Sequence, residues 1–234
     1  MTLKYEAKVA DVIQRTHNVK SFRLPRPASL NYKAGQYMLA GLKMDGLEMR
    51  KPFSISSSPT EKGFMEFTKK LTNHPFSNRL NTLKVGDSIT IEAPFGNFTF
   101  EGEFERIGLL SGGVGITPLR SICRFCTDMM LTPNVTLLYG NQTEKDIVFR
   151  QELEQMQTQN SNLNVVFTLA EPSTDWRGYT GNINVEMVKK EIPEYPETVF
   201  YICGPPGMVQ AMENVLNSLK VPSKSVKKEN FAGY

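Results

Sequence analysis

Alternating polar and apolar positions fill the first hundred residues of the chain. Six such runs read as strands, and clusters rich in Gly, Pro, Ser and Asn separate them. One short helix is predicted in this half, near 77–83. Six strands at this spacing indicate a closed antiparallel β-barrel. The strand-like runs are KYEAKVADVIQ, VKSFRLP, GQYMLAGL, PFSISSS, FMEFTKKL and SITIEAP.

A different pattern follows the barrel segment. Compact apolar runs alternate with helix-length segments whose apolar residues recur every three or four positions, which predicts a parallel sheet covered by helices on both faces. The boundary falls in the polar segment EGEFER at 101–106. We therefore predict two domains, a β-barrel at 1–102 and a doubly wound α/β domain at 103–234. The apolar runs are RIGLLSGG, NVTLLYG, NVVFTLA and TVFYICG.

Composition narrows the class of protein. The 234 residues are 40% hydrophobic and 22% charged, a balance typical of a globular chain. A net charge of +3 argues against a strongly basic nucleic-acid binder. The first residues, MTLKYEAKVADV, lack the apolar region of a signal peptide, and no apolar run approaches the ~18 residues of a membrane span. We expect a cytoplasmic protein without a membrane span.

Cysteines and histidines are too few for a disulfide scaffold or an iron–sulfur cluster. The chain has three cysteines and two histidines. Cys123 and Cys126 share one apolar face of a predicted helix, so we interpret them as core residues. No metal site is predicted, and any iron–sulfur acceptor has to be a separate chain.

The strongest single motif is a glycine-rich turn between a predicted strand and a predicted helix. Gly112, Gly113 and Gly115 precede Thr117 and Pro118. Glycines let the backbone approach a pyrophosphate closely, Thr117 suits an N-cap, and Pro118 suits the first helical turn. The free N–H groups at the start of such a helix attract an anion. This turn is therefore a candidate for binding a nucleotide.

A second glycine cluster ends another predicted strand of the same sheet. It reads Cys203-Gly204-Pro205-Pro206-Gly207-Met208. Because the carboxyl ends of parallel strands meet at one edge, the two turns are predicted to flank one dinucleotide crevice. The choice between NADH and NADPH stays open. The segment 139–144 has no carboxylate directly at its strand end, and Arg177 is either a ligand of a 2′-phosphate or an ordinary loop cation.

In their order and spacing, these motifs resemble those of the ferredoxin–NADP⁺ reductase superfamily. The resemblance runs nearly end to end and includes Arg50-Lys51-Pro52-Phe53-Ser54-Ile55 together with both glycine clusters. The segment 141–147 is similar to the NADH-using branch related to cytochrome reductases. Shorter matching motifs are Ala34-Gly35-Gln36-Tyr37, Gly86-Asp87 and Pro94-Phe95-Gly96-Asn97-Phe98.

This resemblance implies a Greek-key antiparallel barrel that binds FAD and a second domain that binds NADH or NADPH. In the family pattern R-x-Y-S/T, the arginine binds the flavin phosphate, the aromatic ring stacks on the isoalloxazine, and the hydroxyl bonds near N5. Carried over, Phe53 is the stacking ring and Ser54 is the N5 partner. Lys51 takes the phosphate position, Arg50 beside it shares the task, and Pro52 lies between Lys51 and the ring.

The resemblance also assigns residues outside this motif. Ser77 and Asn78 match the family's second phosphate turn. Thr117 and Cys203 are expected to line the nicotinamide, and Glu229 matches a glutamate that approaches the same atoms. The expected catalytic residues are Ser54, Cys203 and Glu229. The expected cofactor-binding residues are Arg50, Lys51, Pro52, Phe53, Ser54, Ser77, Asn78, Gly112, Gly113, Gly115, Thr117, Pro118, Cys203, Gly204, Pro205, Met208 and one of two carboxy-terminal aromatics, Phe231 or Tyr234.

The function implied is that of a flavin-dependent oxidoreductase. It takes a hydride from NAD(P)H onto FAD and passes electrons singly to a separate ferredoxin, cytochrome or oxygenase. One alternative is a non-autonomous electron-transfer subunit, like those of dihydroorotate dehydrogenases or hydrogenases, although that branch carries a carboxy-terminal cysteine cluster that this sequence lacks. Another alternative is a nucleotide-binding regulatory module without turnover.

Overall fold

The first half of the chain folds into two antiparallel sheets that form a barrel-like body. The computed structural model describes residues 2–44 and 46–231. The elements of this half are β1 (Leu3–Lys8), β2 (Asp11–Thr16), β3 (Val19–Pro25), β4 (Tyr37–Met44), β5 (Leu47–Ser54), β6 (Phe64–Lys70), α1 (Pro75–Asn81) and β7 (Ser88–Phe95). One sheet has the order β1-β7-β4-β5 and the other β2-β3-β6. A bridge between Ile55 and Phe67 links the two sheets.

The predicted first strand is in fact two strands. β1 pairs with β7, whereas β2 pairs with β3, so the chain changes sheets between them. At the crossing, the Val9 N–H donates to the Asp87 carbonyl (2.9 Å) and the Ala10 N–H donates to the Arg23 carbonyl (2.8 Å). The alternating pattern of this run therefore does not reveal that its two halves pair with different strands. Alternation indicates which residues are buried, but it does not indicate which strand lies next to them.

Aromatic rings fill the barrel core next to β5 and α1. The ring of Phe53 lies 5.0 Å from that of Phe67 and 6.0 Å from that of Phe76. Phe22 stacks on Phe67 at 5.0 Å from the other side. These contacts fix the end of β5, where the Lys51–Ser54 segment lies.

The second half is an α/β body, as its pattern predicts. Its elements are β8 (Arg106–Gly112), α2 (Ile116–Asp128), β9 (Asn134–Asn141), α3 (Arg150–Gln159), β10 (Leu163–Leu169), β11 (Tyr179–Thr180), α4 (Val185–Glu191), β12 (Val199–Gly204), α5 (Pro206–Ser218) and β13 (Val226–Asn230). All six strands pair in parallel in the order β11-β10-β9-β8-β12-β13. The boundary at residues 102 and 103 stays a prediction.

Successive residues of the central strands pack against helices on opposite faces of this sheet. Leu109 and Leu137 belong to the core that includes α2 and α3. Leu110 and Leu138 belong to the core that includes α4 and α5. The predicted doubly wound sheet is thus confirmed. Strand order reverses between β8 and β12, and an open α/β sheet has its ligand crevice at such a switch point.

Ion pairs around the buried Arg120 join the two bodies. The Arg120 side chain of α2, 5% exposed, contacts Glu61 of the barrel and Glu152 of α3. Its Nη1 also donates to the Ser56 carbonyl at 3.1 Å. Arg15 of β2 contacts Glu152 at 2.6 Å from the barrel side. Because each partner lies on a different element, this network sets how the barrel meets the sheet.

Candidate active site

A cleft of about 540 Å³ lies at the carboxyl edge of the parallel sheet. Both predicted glycine turns line it, the first through Gly112 and Gly113 and the second through Gly207 and Met208. The barrel contributes Lys70 from β6. We call this cavity the nucleotide cleft, and its lining agrees with the expected crevice between two glycine turns.

Gly115 occupies a position that has no room for a side chain. A Cβ there would lie 2.3 Å from the Cys203 carbonyl oxygen and 2.6 Å from the Gly204 Cα. Gly113 has a different reason to be glycine, since its φ of +54° is left-handed. The first turn thus packs its backbone directly on the end of β12, below the cleft.

Helix α2 begins two residues earlier than the motif predicts. The N-cap is Gly115, because the preceding residues Gly113–Gly115 form a short 3₁₀ turn that leads directly into the helix. Thr117 is therefore inside the first turn, is 2% exposed, and donates its hydroxyl to the Val114 carbonyl at 3.2 Å. The expectation that Thr117 caps the helix is wrong. Pro118 does lie in the first turn, where a missing N–H leaves no bond unmade.

A second cavity, of about 370 Å³, opens on the barrel. Four of the expected flavin-binding residues line it, namely Lys51, Pro52, Phe53 and Ser77. Its other lining residues are Met49, Lys69, Thr72, His74, Pro75 and Phe76. We call this cavity the barrel pocket.

Arg50 and Asn78 do not line the barrel pocket. Neighbouring residues of a strand point to opposite faces, so Arg50 points away from the side that Lys51 faces. Its guanidinium bonds to Glu48 and, at 3.2 Å, to Glu92. Asn78 is exposed, and its amide donates to the Asn73 carbonyl at 3.3 Å. The expectation that Arg50 shares the phosphate with Lys51 is therefore not met by this geometry.

The three expected catalytic residues meet where the barrel touches the sheet. Cys203 of β12 and Glu229 of β13 are partners in the sheet register. Burial raises the pKa of Glu229 to about 7, and the hydroxyl of Ser54 at the end of β5 partly opposes that rise. Burial and then the Glu229 carboxylate raise the pKa of the Cys203 thiol well above its ordinary value. At neutral pH, this arrangement combines a neutral thiol with a carboxyl group that can bind or release a proton.

One buried oxygen in each of two of these side chains lacks a hydrogen-bond partner of good geometry in the described part of the chain. Among the described residues, neither the Ser54 Oγ nor the Glu229 Oε2 has a hydrogen-bond partner of good geometry. A buried polar group without a partner is uncommon and calls for a ligand or a water molecule. Ser54 directly follows Phe53 of the barrel pocket, and Cys203 directly precedes the turn below the nucleotide cleft. The unpaired atoms thus belong to a residue that follows the barrel pocket in the chain and to the register partner of a residue that precedes the turn below the nucleotide cleft.

Gly204 and Pro205, also expected to bind the cofactor, make backbone hydrogen bonds at the end of β12 and the start of α5. Gly204 accepts the Phe231 N–H at 3.0 Å and lies against the Met208 side chain. Pro205 is exposed and precedes α5, where its carbonyl accepts the Val209 N–H at 3.0 Å. Phe231 packs against the same core cluster as Cys203. Tyr234 lies outside the described residues.

Sequence reasoning missed two lysines that line these cavities. Lys69 lines the barrel pocket and Lys70 lines the nucleotide cleft, although they are neighbours at the end of β6. Alternation explains how adjacent residues reach different cavities. The sequence shows two lysines at the end of a predicted strand. Only the structure shows that β6 lies beside both cavities and that each lysine lines one of them.

Comparisons with known proteins agree with this geometry. A family model described as an oxidoreductase FAD-binding domain matches residues 6–100, and one described as an oxidoreductase NAD-binding domain matches residues 109–214. NADH-cytochrome b5 reductase 1 of Aspergillus terreus is 31% identical over 87% of this chain and 74% of its own length. The chain belongs to the ferredoxin–NADP⁺ reductase family. It is an FAD-dependent NAD(P)H reductase, so the predicted enzyme class and cofactors are confirmed.

Two further relatives of this reductase come from bacteria. The glycine betaine monooxygenase reductase subunit of Chromohalobacter salexigens is 29% identical over 97% of this chain, which spans 64% of that protein. The crystal structure of the flavohem-like FAD/NAD binding domain of nitric oxide dioxygenase from Vibrio cholerae O1 biovar El Tor superposes with a TM-score of 0.86. It is 27% identical, with 97% of this chain and 98% of that chain covered.

The described part of the reductase contains neither a helix suited to span a membrane nor a cluster of metal-ligating side chains. Within residues 2–44 and 46–231, no helix combines the length and apolar character that crossing a membrane requires. The same residues contain no group of three or more His, Cys, Asp or Glu side chains arranged to hold a metal ion.

Proposed function

We propose that this reductase oxidises NADH in the nucleotide cleft and delivers electrons one at a time to a separate protein acceptor. The observation that carries the proposal is the meeting of Ser54, Cys203 and Glu229 between the barrel pocket and the nucleotide cleft. Bound FAD would accept two electrons together from a nicotinamide and release them singly. The protein's task is to hold the two rings against each other and to manage one proton.

The chain's own residues divide this task. Phe53 and Pro52 supply an apolar wall for the flavin in the barrel pocket, and Lys51 and Ser77 supply polar groups for its phosphates. The Ser54 hydroxyl is the expected hydrogen-bond donor toward the flavin ring. Glu229 is the proton carrier, because a pKa of about 7 lets its carboxyl group hold and lose a proton near neutral pH.

The nicotinamide side depends mainly on backbone and packing. Gly112, Gly113 and Met208 line the cleft, and Gly115 brings the first turn onto β12. Thr117 and Cys203 are buried beneath this turn, so their contribution is to shape the site. A neutral thiol at Cys203 avoids the desolvation cost that a thiolate would have beneath this turn.

NADH is the proposed donor because a carboxylate stands at the cleft rim on the side of Gln142. The Glu171 Oε1 accepts a bond from the Nε2 of Gln142, a lining residue, at 2.6 Å. A negative charge there repels a 2′-phosphate. Arg177, the cation considered for that phosphate, is exposed and donates to the Thr174 carbonyl of its own loop at 3.2 Å. The name of the relative from Aspergillus terreus, an NADH-cytochrome b5 reductase, also supports NADH.

The preference for NADH over NADPH is tested by removing the charge of Glu171. Glu171→Gln is expected to narrow the ratio of kcat/KM for NADH over NADPH about fivefold, the effect of one exposed charge worth ~1 kcal/mol. Asp175→Asn removes a charge from the same loop and serves as the matched control. An unchanged ratio in Glu171→Gln would show that this carboxylate does not set the preference.

A separate protein acceptor is supported by what the relatives are named for. One is named as a reductase of cytochrome b5 and another as the reductase subunit of a monooxygenase. We therefore propose a ferredoxin, a cytochrome or an oxygenase component as the acceptor of this reductase.

An anaerobic visible spectrum tests the whole proposal. NADH is expected to bleach the flavin band near 450 nm, about the value for any oxidised flavin, at lower concentration than NADPH. Addition of oxidised cytochrome b5 or ferredoxin should then restore the band in one-electron steps. If neither nucleotide bleaches bound flavin, the proposal is wrong, and an electron-transfer subunit that needs its partner or a regulatory module replaces it.

A further inference from the structure

The hydroxyl of one buried tyrosine reaches the first glycine turn from inside the protein. Tyr139 lies in β9 and is fully buried. Its Oη donates to the Gly113 carbonyl at 2.8 Å. The ring belongs to the core cluster that includes α2, and its centroid lies 6.1 Å from that of Phe167 in β10. Packing within the core therefore holds this hydroxyl under the turn.

The same hydroxyl is close to two further parts of the cleft wall. Burial raises the pKa of Tyr139 well above its ordinary value, and the adjacent backbone of Val148 and side chain of Asn141 partly oppose that rise. Gly113, Asn141 and Val148 all line the nucleotide cleft. They come from the first turn, the end of β9 and the segment before α3. One protonated hydroxyl thus contacts three walls of a single cavity.

The bond to Gly113 determines which way one peptide of the turn faces. The Gly113 carbonyl also accepts the N–H of Ile116, the first residue of α2. In a trans peptide, the C=O and the N–H point in opposite directions. With the Gly113 carbonyl directed at the buried hydroxyl, the Val114 N–H of the same peptide is directed away from it. Val114 lines the cleft, so this N–H faces the space where an anion would bind.

Side-chain packing does not constrain the turn at Gly113. A Cβ built there would meet no described atom within 4 Å. The φ of +54° is left-handed, and glycine has more backbone conformations open to it than any other residue. A hydrogen bond that fixes the Gly113 carbonyl therefore has a large effect on where the N–H groups of the turn point.

We propose that Tyr139 is a positioning residue for NADH, and that its hydroxyl orients the Gly113–Val114 peptide so that the peptide N–H binds the diphosphate of the dinucleotide. The inference rests on the proposed binding of NADH in the nucleotide cleft. Tyr139 does not touch the nucleotide in this arrangement. Its effect reaches the diphosphate through the turn.

The test removes the hydroxyl and keeps the ring. Tyr139→Phe should raise KM for NADH about three- to tenfold, the share of one neutral hydrogen bond. The value of kcat should change less than about twofold, because a weaker hold on the diphosphate affects substrate and transition state equally. The inhibition constant of ADP-ribose, which contains the diphosphate, should rise by the same factor as KM. That of adenosine, which lacks the diphosphate, should stay the same.

Tyr201→Phe is the matched control. Tyr201 is also fully buried in the α/β body, and its hydroxyl donates to the Thr99 carbonyl at the same 2.8 Å, in the segment between β7 and β8. Lys227, which donates to this hydroxyl, keeps Thr99 and Glu103 as partners in the variant. Urea unfolding should show similar small shifts of the midpoint for the two variants, whereas only Tyr139→Phe should raise KM for NADH.

Several results would overturn the inference. An unchanged KM in Tyr139→Phe would mean that the hydroxyl does not determine how the turn binds NADH. Equal rises of KM in the two variants, or equal rises of the inhibition constants for ADP-ribose and adenosine, would mean that the α/β body is only loosened. A wild type that oxidises no NADH and does not bind ADP-ribose would be a different outcome. It would remove the nucleotide cleft as the NADH site, and this inference with it.

Discussion

Adding one methyl group at Gly115 should separate the two glycine turns. The new Cβ of Gly115→Ala would lie 2.3 Å from the Cys203 carbonyl oxygen and 2.8 Å from its carbonyl carbon. Both atoms are backbone near the end of β12, which pairs with a strand on each side, so they cannot rotate away as a side chain can. Relief requires the turn to move away from β12 by roughly 1 Å, the shortfall from ordinary contact. Such overpacking costs about 1–3 kcal/mol.

The same movement should cost activity as well as stability. A misplacement of about 1 Å at a positioning element can reduce rate a hundredfold, so kcat/KM for NADH should fall by ten- to a hundredfold. The barrel is untouched, so the variant should still bind FAD and show a normal flavin spectrum. Urea unfolding gives the stability, and steady-state kinetics with NADH and ferricyanide give the activity.

Gly207→Ala is the matched control for stability. Gly207 lies in the second turn, and a Cβ there would meet nothing within 4 Å. Since the residue is helical, alanine should leave the stability unchanged or raise it by up to about 1 kcal/mol. If Gly115→Ala unfolds at the same urea concentration as the wild type and keeps its kcat/KM, the close contact with β12 does not determine the geometry of the cleft.

Two more predictions concern buried charges. Arg120→Met leaves Glu61 without its cation, whereas Glu152 keeps Arg15, and it should lower the free energy of unfolding by about 1–3 kcal/mol. Arg124→Met, on the same helix but a third exposed, should cost less than about 1 kcal/mol. Similar losses of the two variants in urea unfolding would argue against a structural role for the network. Because the pKa of Glu229 is about 7 when folded and near 4.5 when unfolded, the folded state holds the extra proton between these values. Stability should therefore fall as pH rises from 4.5 to 7 and level off above. Glu229→Gln should abolish this slope and gain up to about 3 kcal/mol over the wild type at pH 8, with no gain at pH 4.5, and parallel pH profiles would refute the assignment.

Local patterns were sufficient for the fold and for part of the site. Alternation in the first half and strand–helix rhythm in the second predict the two bodies, because burial on one face of each element is recorded in neighbouring residues. The sequence also predicted where the chain needs glycine in the first turn. Gly113 needs a left-handed φ and Gly115 needs space, and in both cases glycine is the residue that satisfies the requirement.

Errors arose where a side chain's direction depended on the register of a sheet. Lys51 and Arg50 are adjacent cations, and the resemblance put Lys51 at the phosphate position with Arg50 sharing the task. Pairing of β5 with β4 turns Lys51 toward the barrel pocket and leaves Arg50 with Glu92 of β7. The prediction placed the N-cap at Thr117 because the sequence does not show the 3₁₀ turn at Gly113–Gly115. That turn leads directly into α2, so the helix begins before Thr117.

By itself, the sequence determined the two-part architecture, the glycine turns at one sheet edge and the family to which the reductase belongs. These features depend on residues close together in the chain, or on their order along it. Only the tertiary structure decided that Ser54 of the barrel meets Glu229 of the last strand, and that Lys69 and Lys70 enter different cavities. The physical reason is that burial, pKa and charge pairing depend on neighbours in space, and a pattern along the chain does not record those neighbours.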